Sequence, residues 1–478
     1  MNARLHAAFL ALCMAGSACA NDLLDQVLMP RTDPLSTLPP VIVDGATLPG
    51  DTATHSCIVP DEAPGALTLA AAVDLALCHN PQIAGAWAGI RVQAAGLGQA
   101  QAAYLPTVSA SAGRQHGRTT VSGATAVASN TSSTSSTLVS TTLGWRLFDF
   151  GGRDAAARSA QALLDAALAN HDASLQKVLA AVIQSYFDAQ TAQAAWQSRQ
   201  RQETMAIALL ETVSRREQRG AAARTDKLQA ATALARASLE RSRADGAFRK
   251  SLAALVAVLG MPGATRLALA DDLADPDDAV RGELDSWLAG AQARHPALQA
   301  ARAQLASAQE NIVTTRSEGL PTLDFSAAHY RNGRPNQGAT QDTQETVAGI
   351  TLTIPLFDGF SRTYKVRSAQ AQAAQKEADL RELEQQVVME VAKAHADASA
   401  ALANLAASKN LLDAAEQARD SVQRRYDRDA ADVRDLLGTQ ASVDEAQQER
   451  LRCLADWRSA RLRLLAVAGR MGKWALAK

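Results

Sequence analysis

The sequence predicts a mixed fold of α-helices and transmembrane β-strands, duplicated internally, in which four strands contribute to a barrel shared between copies. Three observations carry this. The chain repeats itself: Asn80-Pro81 returns as His295-Pro296 and Leu105-Pro106-Thr107 as Leu320-Pro321-Thr322, both 215 positions on. Leu147-Phe148-Asp149 returns as Leu356-Phe357-Asp358, and Arg216, Arg219 and Asp226 return as Arg425, Arg428 and Asp435, all 209 positions on. Very long stretches lack glycine and proline, and short alternating segments of about ten residues, enough to cross a bilayer when tilted, separate them.

Composition narrows the class. The 478 residues carry a net charge of −1, with basic and acidic residues interspersed, so no nucleic-acid footprint exists. Aromatics are 4%, and the apolar content is largely alanine, which suits closely packed helices. No run of eighteen apolar residues is present beyond the N-terminus, so no transmembrane helix is expected.

Residues 1–20 read as an export signal. Arg4 gives the positive start, Ala7 to Ala15 the apolar stretch, and Ala18-Cys19-Ala20 a small-x-small cleavage site. Gly16-Ser17-Ala18-Cys19 also resembles a lipoprotein processing site, with Gly16 where leucine is usual. After the signal, Cys57, Cys78 and Cys453 remain. An oxidising compartment would permit a Cys57–Cys78 disulfide, free or buried thiols being the alternative.

Residues 21–66 form a proline-rich arm with no period. The first repeat spans 67–263. A helix opens at Thr68-Leu69, Pro81 restarts it at a first-turn position, and Pro106 stops it after Tyr104. Strands are expected at 107–117 and 137–148. In the second, Val139, Thr141, Leu143, Trp145 and Leu147 share one face, and Ser140, Thr142, Gly144 and Arg146 the other. Small polar residues from Thr119 to Ser136 read as a loop. Arg153 to Arg219 contains no glycine or proline and makes a helix about 100 Å long. Gly220-Ala221 turns it back, and Pro262-Gly263 ends the return helix.

An acidic linker occupies 264–284. The second repeat, 285–469, has a helix from Pro296 to about Gly319, strands at 322–331 and 344–357, a long helix from Ser361 to Arg428 and a last helix ending near Gly469. Leu323, Phe325 and Ala327 share a face, as do Ala348, Ile350, Leu352, Ile354 and Leu356. Residues 470–478 are a tail.

Four strands cannot close a barrel, and an open edge is not tolerated in lipid. The barrel must therefore be shared between copies; three copies would supply twelve strands, though the number three does not follow from the sequence. The helices, too long for a compact domain, would pack side by side into a hollow cylinder continuing the barrel.

The order helix, Leu-Pro-Thr strand, polar loop, strand, Leu-Phe-Asp, glycine-rich turn and long helix, present twice, resembles the TolC family of outer-membrane efflux and secretion channels. The resemblance covers about Leu67 to Ala468. It implies a homotrimer, a twelve-stranded barrel in the outer-membrane lipid and a long periplasmic α-helical barrel. It also implies docking to a periplasmic adaptor (a membrane fusion protein) and to an inner-membrane ABC or proton-driven pump. Cargo would be protein or toxin of a type I system, or small molecules or metal.

The same resemblance points to the helix tips as the closing element. By position, Tyr426 matches the family's gate tyrosine and Asp435 an aspartate ringing the constriction, with Asp226 in the related place of the first hairpin. Ala431 stands where an arginine is found in the family's best-known member, and Gly438 where that member has a second ring aspartate. Arg428 or Arg434, beside Arg425, would then serve instead. Alternatively these charges solvate an exposed turn and cap helix ends. Trp145, Phe148, Phe150, Phe357 and Phe360, at strand ends, suit a membrane-interface girdle, core packing being the alternative.

No cofactor and no enzymatic activity are expected. The sequence holds no HExxH pair, no Gly-x-Ser-x-Gly elbow and no phosphate-binding Gly-Lys-Ser/Thr loop. A periplasmic coiled-coil adaptor or scaffold without a pore would use the same helices and leave the strands as a soluble hairpin domain.

Overall fold

The structure is a computed structural model that describes residues 33–37, 66–121, 130–220, 222–263, 265, 267–270, 283–331, 343–426, 428 and 430–469. The export signal with Cys19, nearly all of the proline-rich arm with Cys57, most of the acidic linker and the C-terminal tail lie outside the described residues. The elements in chain order are α1 (Leu69–His79), α2 (Pro81–Ala102), β1 (Thr107–Val121), β2 (Asn130–Phe148), α3 (Gly152–Gln218), α4 (Arg224–Val258), α5 (Leu284–Arg294), α6 (Pro296–Ser317), β3 (Thr322–Arg331), β4 (Gln344–Thr353), α7 (Ser361–Tyr426) and α8 (Val433–Val467). No described helix is long and apolar enough to cross a membrane.

The chain divides into two compact units. One comprises residues 1–41, 91–165 and 303–377. It contains a four-stranded antiparallel sheet in the order β1-β2-β3-β4. The β1–β2 hairpin is longer at its tip than the sequence suggests. Pairing runs unbroken to Val121↔Asn130 through the Ser/Thr tract. Nearer the other end of the hairpin, hydroxyls bond across the strands, Ser109 to Thr142 and Ser111 to Ser140, both at 2.7 Å. Such cross-strand pairs stabilise a sheet without leaving a hydrophobic alternation to read. Conversely β4 stops at Thr353, paired with Thr322, and not at 357. Pro355 has no N–H to continue the ladder, and Pro321 flanks the partner strand.

The other unit comprises residues 42–90, 166–302 and 378–478 and holds the helical cores. Thr68 caps α1, its Oγ1 accepting from Ala71 N at 3.3 Å. Asn80 joins α1 to α2: Oδ1 accepts from Gln82 N at 2.8 Å, and Nδ2 donates to Val258 O at the end of α4 at 2.9 Å. Gly260 follows α4 at φ +73°, and a Cβ there would meet His79 O at 2.4 Å, so no other residue fits. Leu67 bridges Leu269 in parallel, and the Tyr186 hydroxyl donates to Leu67 O at 3.0 Å.

Duplication is visible in the packing. The first core contains Ile83, Val178, Val182, Leu255 and Leu259. Their repeat equivalents Leu298, Val387, Val391, Leu464 and Ala468 belong to the second core, around Trp287. Helix α5, which the sequence reading does not separate from its surroundings, stands 215 positions after α1 and plays the same part. Cys453 is a buried free thiol. Cys78 is disulfide-bonded; its expected partner Cys57 is outside the described residues, so that pairing remains a proposal.

Candidate functional site: the sheet faces and the helix tips

The register of the sheet sorts its side chains, because directly paired residues of an antiparallel sheet point to one face. One face carries successive rows: Phe148, Leu323 and Leu352; Trp145, Phe325 and Ile350; Val108, Leu143, Ala327 and Ala348. Farther from the helix-joined end, Ala110 and Ala112 share this face with Thr141 and Val139. The opposite face carries Ser109, Ser111, Ser140, Thr142 and Thr351. It also holds an ion pair in which Arg146 Nε donates to Asp324 at 3.0 Å. Ile350, Leu352 and Trp145 are exposed in the single chain. A large exposed apolar face needs lipid or a partner to cover it.

The corners where strand passes into long helix are built twice. Asp149 and Asp358 accept backbone N–H groups from Arg153 and Arg362 at 2.9 and 2.8 Å, capping α3 and α7. The Arg153 side chain then ties the first corner together. Its Nε donates to Asp149 at 3.1 Å and its Nη1 to Arg146 O at 2.7 Å, and its guanidinium stands 4.8 Å from the Tyr104 ring centre.

Each corner needs two consecutive left-handed residues. The first uses Phe150 (φ 53°) and Gly151 (φ 85°), the second Gly359 and Phe360 (both φ 67°), so the aromatic and the glycine exchange places. A phenylalanine held at positive φ costs about 1–3 kcal/mol. Both nevertheless stay exposed, edge-on to Phe148 and Phe357 at 4.8 and 5.3 Å. All five aromatics expected at an interface are therefore surface residues of this unit. Trp145 Nε1 donates to Tyr104 O at 2.9 Å. Tyr364, also exposed, lies one turn beyond Phe360, and the sequence reading did not single it out.

At the other sites, in the helical unit, the two hairpin tips meet. Tyr426, the last residue of α7, is buried with Val213 of α3, Ala230 of α4 and Leu436 of α8. The Arg216 guanidinium carbon lies 5.3 Å from the Tyr426 ring centre. In the first hairpin the places of Tyr426 and Leu436 are taken by Glu217 and Lys227, which form an ion pair at 2.9 Å. One hairpin is thus clasped by charge and the other by apolar contact.

The remaining tip residues divide. Asp226 Oδ2 accepts from Ala223 N at 3.2 Å, closing the first turn of α4. Arg425 Nη2 donates to Ala430 O at 3.2 Å and braces the second turn. Asp435, Arg428 and Arg434 are exposed, and Asp435 sits in the first turn of α8, where the helix dipole favours an acid. Between α3, α4, α7 and α8 lies a cavity of about 890 Å³, lined by Gln202, Met205, Leu437 and Asp444 among others. Burial pushes the Asp444 carboxyl up from its ordinary value, although Gln440 donates to it at 3.0 Å. No cluster of metal-ligating side chains occurs among the described residues.

The family model for outer membrane efflux proteins matches residues 72–261 and 287–470. The chain belongs to the outer membrane efflux protein family. Its two matched segments are the two repeats. Protein CyaE of Bordetella pertussis is 38% identical over 409 residues, 85% of each chain. Two solved outer-membrane channels share the fold. CmeC of Campylobacter jejuni has a TM-score of 0.74 at 16% identity, covering 90% of this chain and 95% of its own. MtrE of Neisseria gonorrhoeae has 0.70 at 19%, covering 84% and 89%. As a member of the outer membrane efflux family, the protein is an outer-membrane channel protein of TolC type and not an enzyme. The pore-free soluble scaffold that the helices alone would permit is set aside by this membership.

Proposed function

We propose that three copies form a passive outer-membrane conduit of a tripartite exporter, working with a periplasmic adaptor and an inner-membrane ABC or proton-driven pump. One observation carries the reading. Among the described residues the sheet of each chain ends in β1 and β4, two edges with no further strand paired to them, and one of its faces is apolar. In lipid those edges must be paired. Pairing β4 of one copy with β1 of the next closes a barrel, and three copies give twelve strands, an even number within the range of such barrels. With no nucleotide-binding motif in the sequence, energy comes from the pump. The cargo we propose is protein or toxin of a type I system, because the leader departs from the lipoprotein pattern at Gly16. Small-molecule efflux is the alternative.

Single-channel recording of the detergent-purified protein in a planar bilayer, with its mass measured in the same detergent, tests the conduit. Discrete conductance steps from a trimer are expected. A protein that never enters the bilayer overturns the reading. Deleting the gene separates the cargoes: loss of a secreted protein supports type I secretion, and drug sensitivity with secretion unchanged overturns it.

A further inference from the structure

The apolar face of the sheet does not end in neutral residues. Beyond Ala112, the same face of β1 continues as Arg114, His116 and Arg118, paired to Thr137, Ser135 and Ser133. On β3, the face that carries Phe325 and Ala327 continues as His329 and Arg331, paired to Thr141 and Val139. All five basic side chains are exposed. The paired strands add no acid to this face. Its β4 members there are Thr346 and Gln344, and Glu345 and Asp324 point to the opposite face. In sequence, residues 122–129, shortly after Arg118, carry no charge, and residues 332–343, after Arg331, carry one base, Arg334, and one acid, Asp342.

The duplication gives this arrangement a second, independent support. Arg114 and His116 are the repeat equivalents of His329 and Arg331. The same two outward positions therefore carry one arginine and one histidine in both repeats, in reversed order. Arg331 lies two strands, about 10 Å, across the sheet from the β1 column and one row, about 7 Å, below Arg114. The apolar rows from Phe148 to Val139 run about 27 Å along the strands, or about 20 Å of height at barrel tilt, close to the band that lipid tails cover. On β1 the basic residues begin one row beyond that band, at Arg114, and on β3 His329 and Arg331 occupy its last two rows, opposite Thr141 and Val139, all at the end of the sheet remote from α3 and α7.

We propose that Arg114, Arg118 and Arg331, with His116 and His329, bind the phosphate groups of lipids in the leaflet at this end of the barrel. The proposal rests on the barrel reading above, in which the apolar face meets lipid. Arginine forks match phosphate oxygens two at a time. Basic side chains set at and just above the last rows of an apolar band meet phosphates that the acyl chains hold at that height, so lipid-borne phosphate is favoured over phosphate in solution. With several such contacts per chain, the lipid becomes an annular ligand and fixes the depth of the barrel in the membrane.

The test is native mass spectrometry of the intact protein in detergent. It is titrated with a bisphosphorylated glucosamine glycolipid (lipid A), with the dephosphorylated glycolipid, and with inorganic phosphate as competitor. The wild type is expected to retain the phosphorylated lipid selectively. Each cation removed should weaken retention about fivefold, so Arg114→Gln, Arg118→Gln and Arg331→Gln together should weaken it about a hundredfold. The three Arg→Lys changes should largely preserve it. Arg118→Gln alone supplies the smaller step if the triple variant fails to assemble. Equal retention of phosphorylated and dephosphorylated lipid, or undiminished retention by Arg118→Gln, overturns the proposal. Competition by inorganic phosphate at matched concentration overturns the assignment to lipid. A wild-type protein that never enters a bilayer overturns the barrel reading itself, and with it the membrane setting.

Discussion

The guanidinium of Arg216 stands over the ring of Tyr426, 5.3 Å from its centre, and so joins the tip of the first repeat to that of the second. A cation–π contact of this kind contributes about 0.5–2 kcal/mol. If the tips close the conduit, Arg216→Ala shifts the open-to-closed ratio roughly twofold to thirtyfold toward open. Tyr426→Phe keeps the ring and should change it little. Open probability in planar bilayers measures both. An unchanged value for Arg216→Ala would show that this contact does not hold the tips.

Asp226 and Asp435 are equivalent in sequence but differ in surroundings. The carboxylate of Asp226 is engaged by Ala223 N, whereas that of Asp435 is exposed. Asp435→Asn is therefore expected to reduce cation preference, read as a smaller reversal potential in a salt gradient. Asp226→Asn should leave selectivity alone and cost about 0.5–2 kcal/mol of stability at most. Equal effects of the two on selectivity would contradict the separation.

The corner caps supply a stability prediction. Asp358→Ala removes a cap worth about 1 kcal/mol. Asp149→Ala should cost more, because it also frees Arg153, whose contacts to Arg146 O and Tyr104 depend on its being held. Thermal melts in detergent rank the two; the reverse order would mean that Arg153 is positioned by something else.

His295 is a half-buried histidine whose pKa desolvation lowers from 6.5, despite the opposing charge of Glu390. The folded state resists the proton that the unfolded chain takes up. Its contribution to stability is therefore complete above the ordinary value of 6.5 and declines as pH falls below it. His295→Asn, which installs the residue of the first repeat, should melt less steeply with acid between neutral pH and pH about 5. Parallel pH slopes for the two proteins would remove His295 as a cause.

Asp444 titrates in the opposite sense. Its raised pKa means the folded state holds a proton more readily, so stability is complete below the ordinary carboxylate range and is lost as pH rises through the folded value. Asp444→Asn, still able to accept from Gln440, should raise the melting temperature at neutral pH and have no effect in acid. A lower melting temperature at pH about 7 would mean that its charge is needed by Arg199.

Much of this was legible in the chain. The Leu-Pro-Thr and Leu-Phe-Asp pairs located both strand hairpins, since proline stops a helix and an aspartate caps the next by local chemistry alone. The Ser/Thr tract after Thr119 was misleading, because backbone pairing carries the strands on to Val121↔Asn130 without any apolar period. Helix α5 escaped notice because Leu284 follows an acidic stretch with no cap signal, although the repeat offset from α1 would have placed it. The tips were only half readable. Arg216 and Tyr426 could both be named, but their contact joins residues of different repeats, and nothing in one sequence reports on that. Nor could spacing tell that Asp226 would turn onto its own backbone while Asp435 would not.

The bare edges of β1 and β4 bear on the life of the chain before assembly. A copy crossing the periplasm alone presents two templates for strand addition, and any like edge it meets will suit. If copies share a barrel as proposed, maturation is a race of high kinetic order, faster when many copies arrive together and error-prone when they arrive singly with foreign strands nearby. Expression level and chaperone supply, as much as fold stability, should set the yield of finished channels.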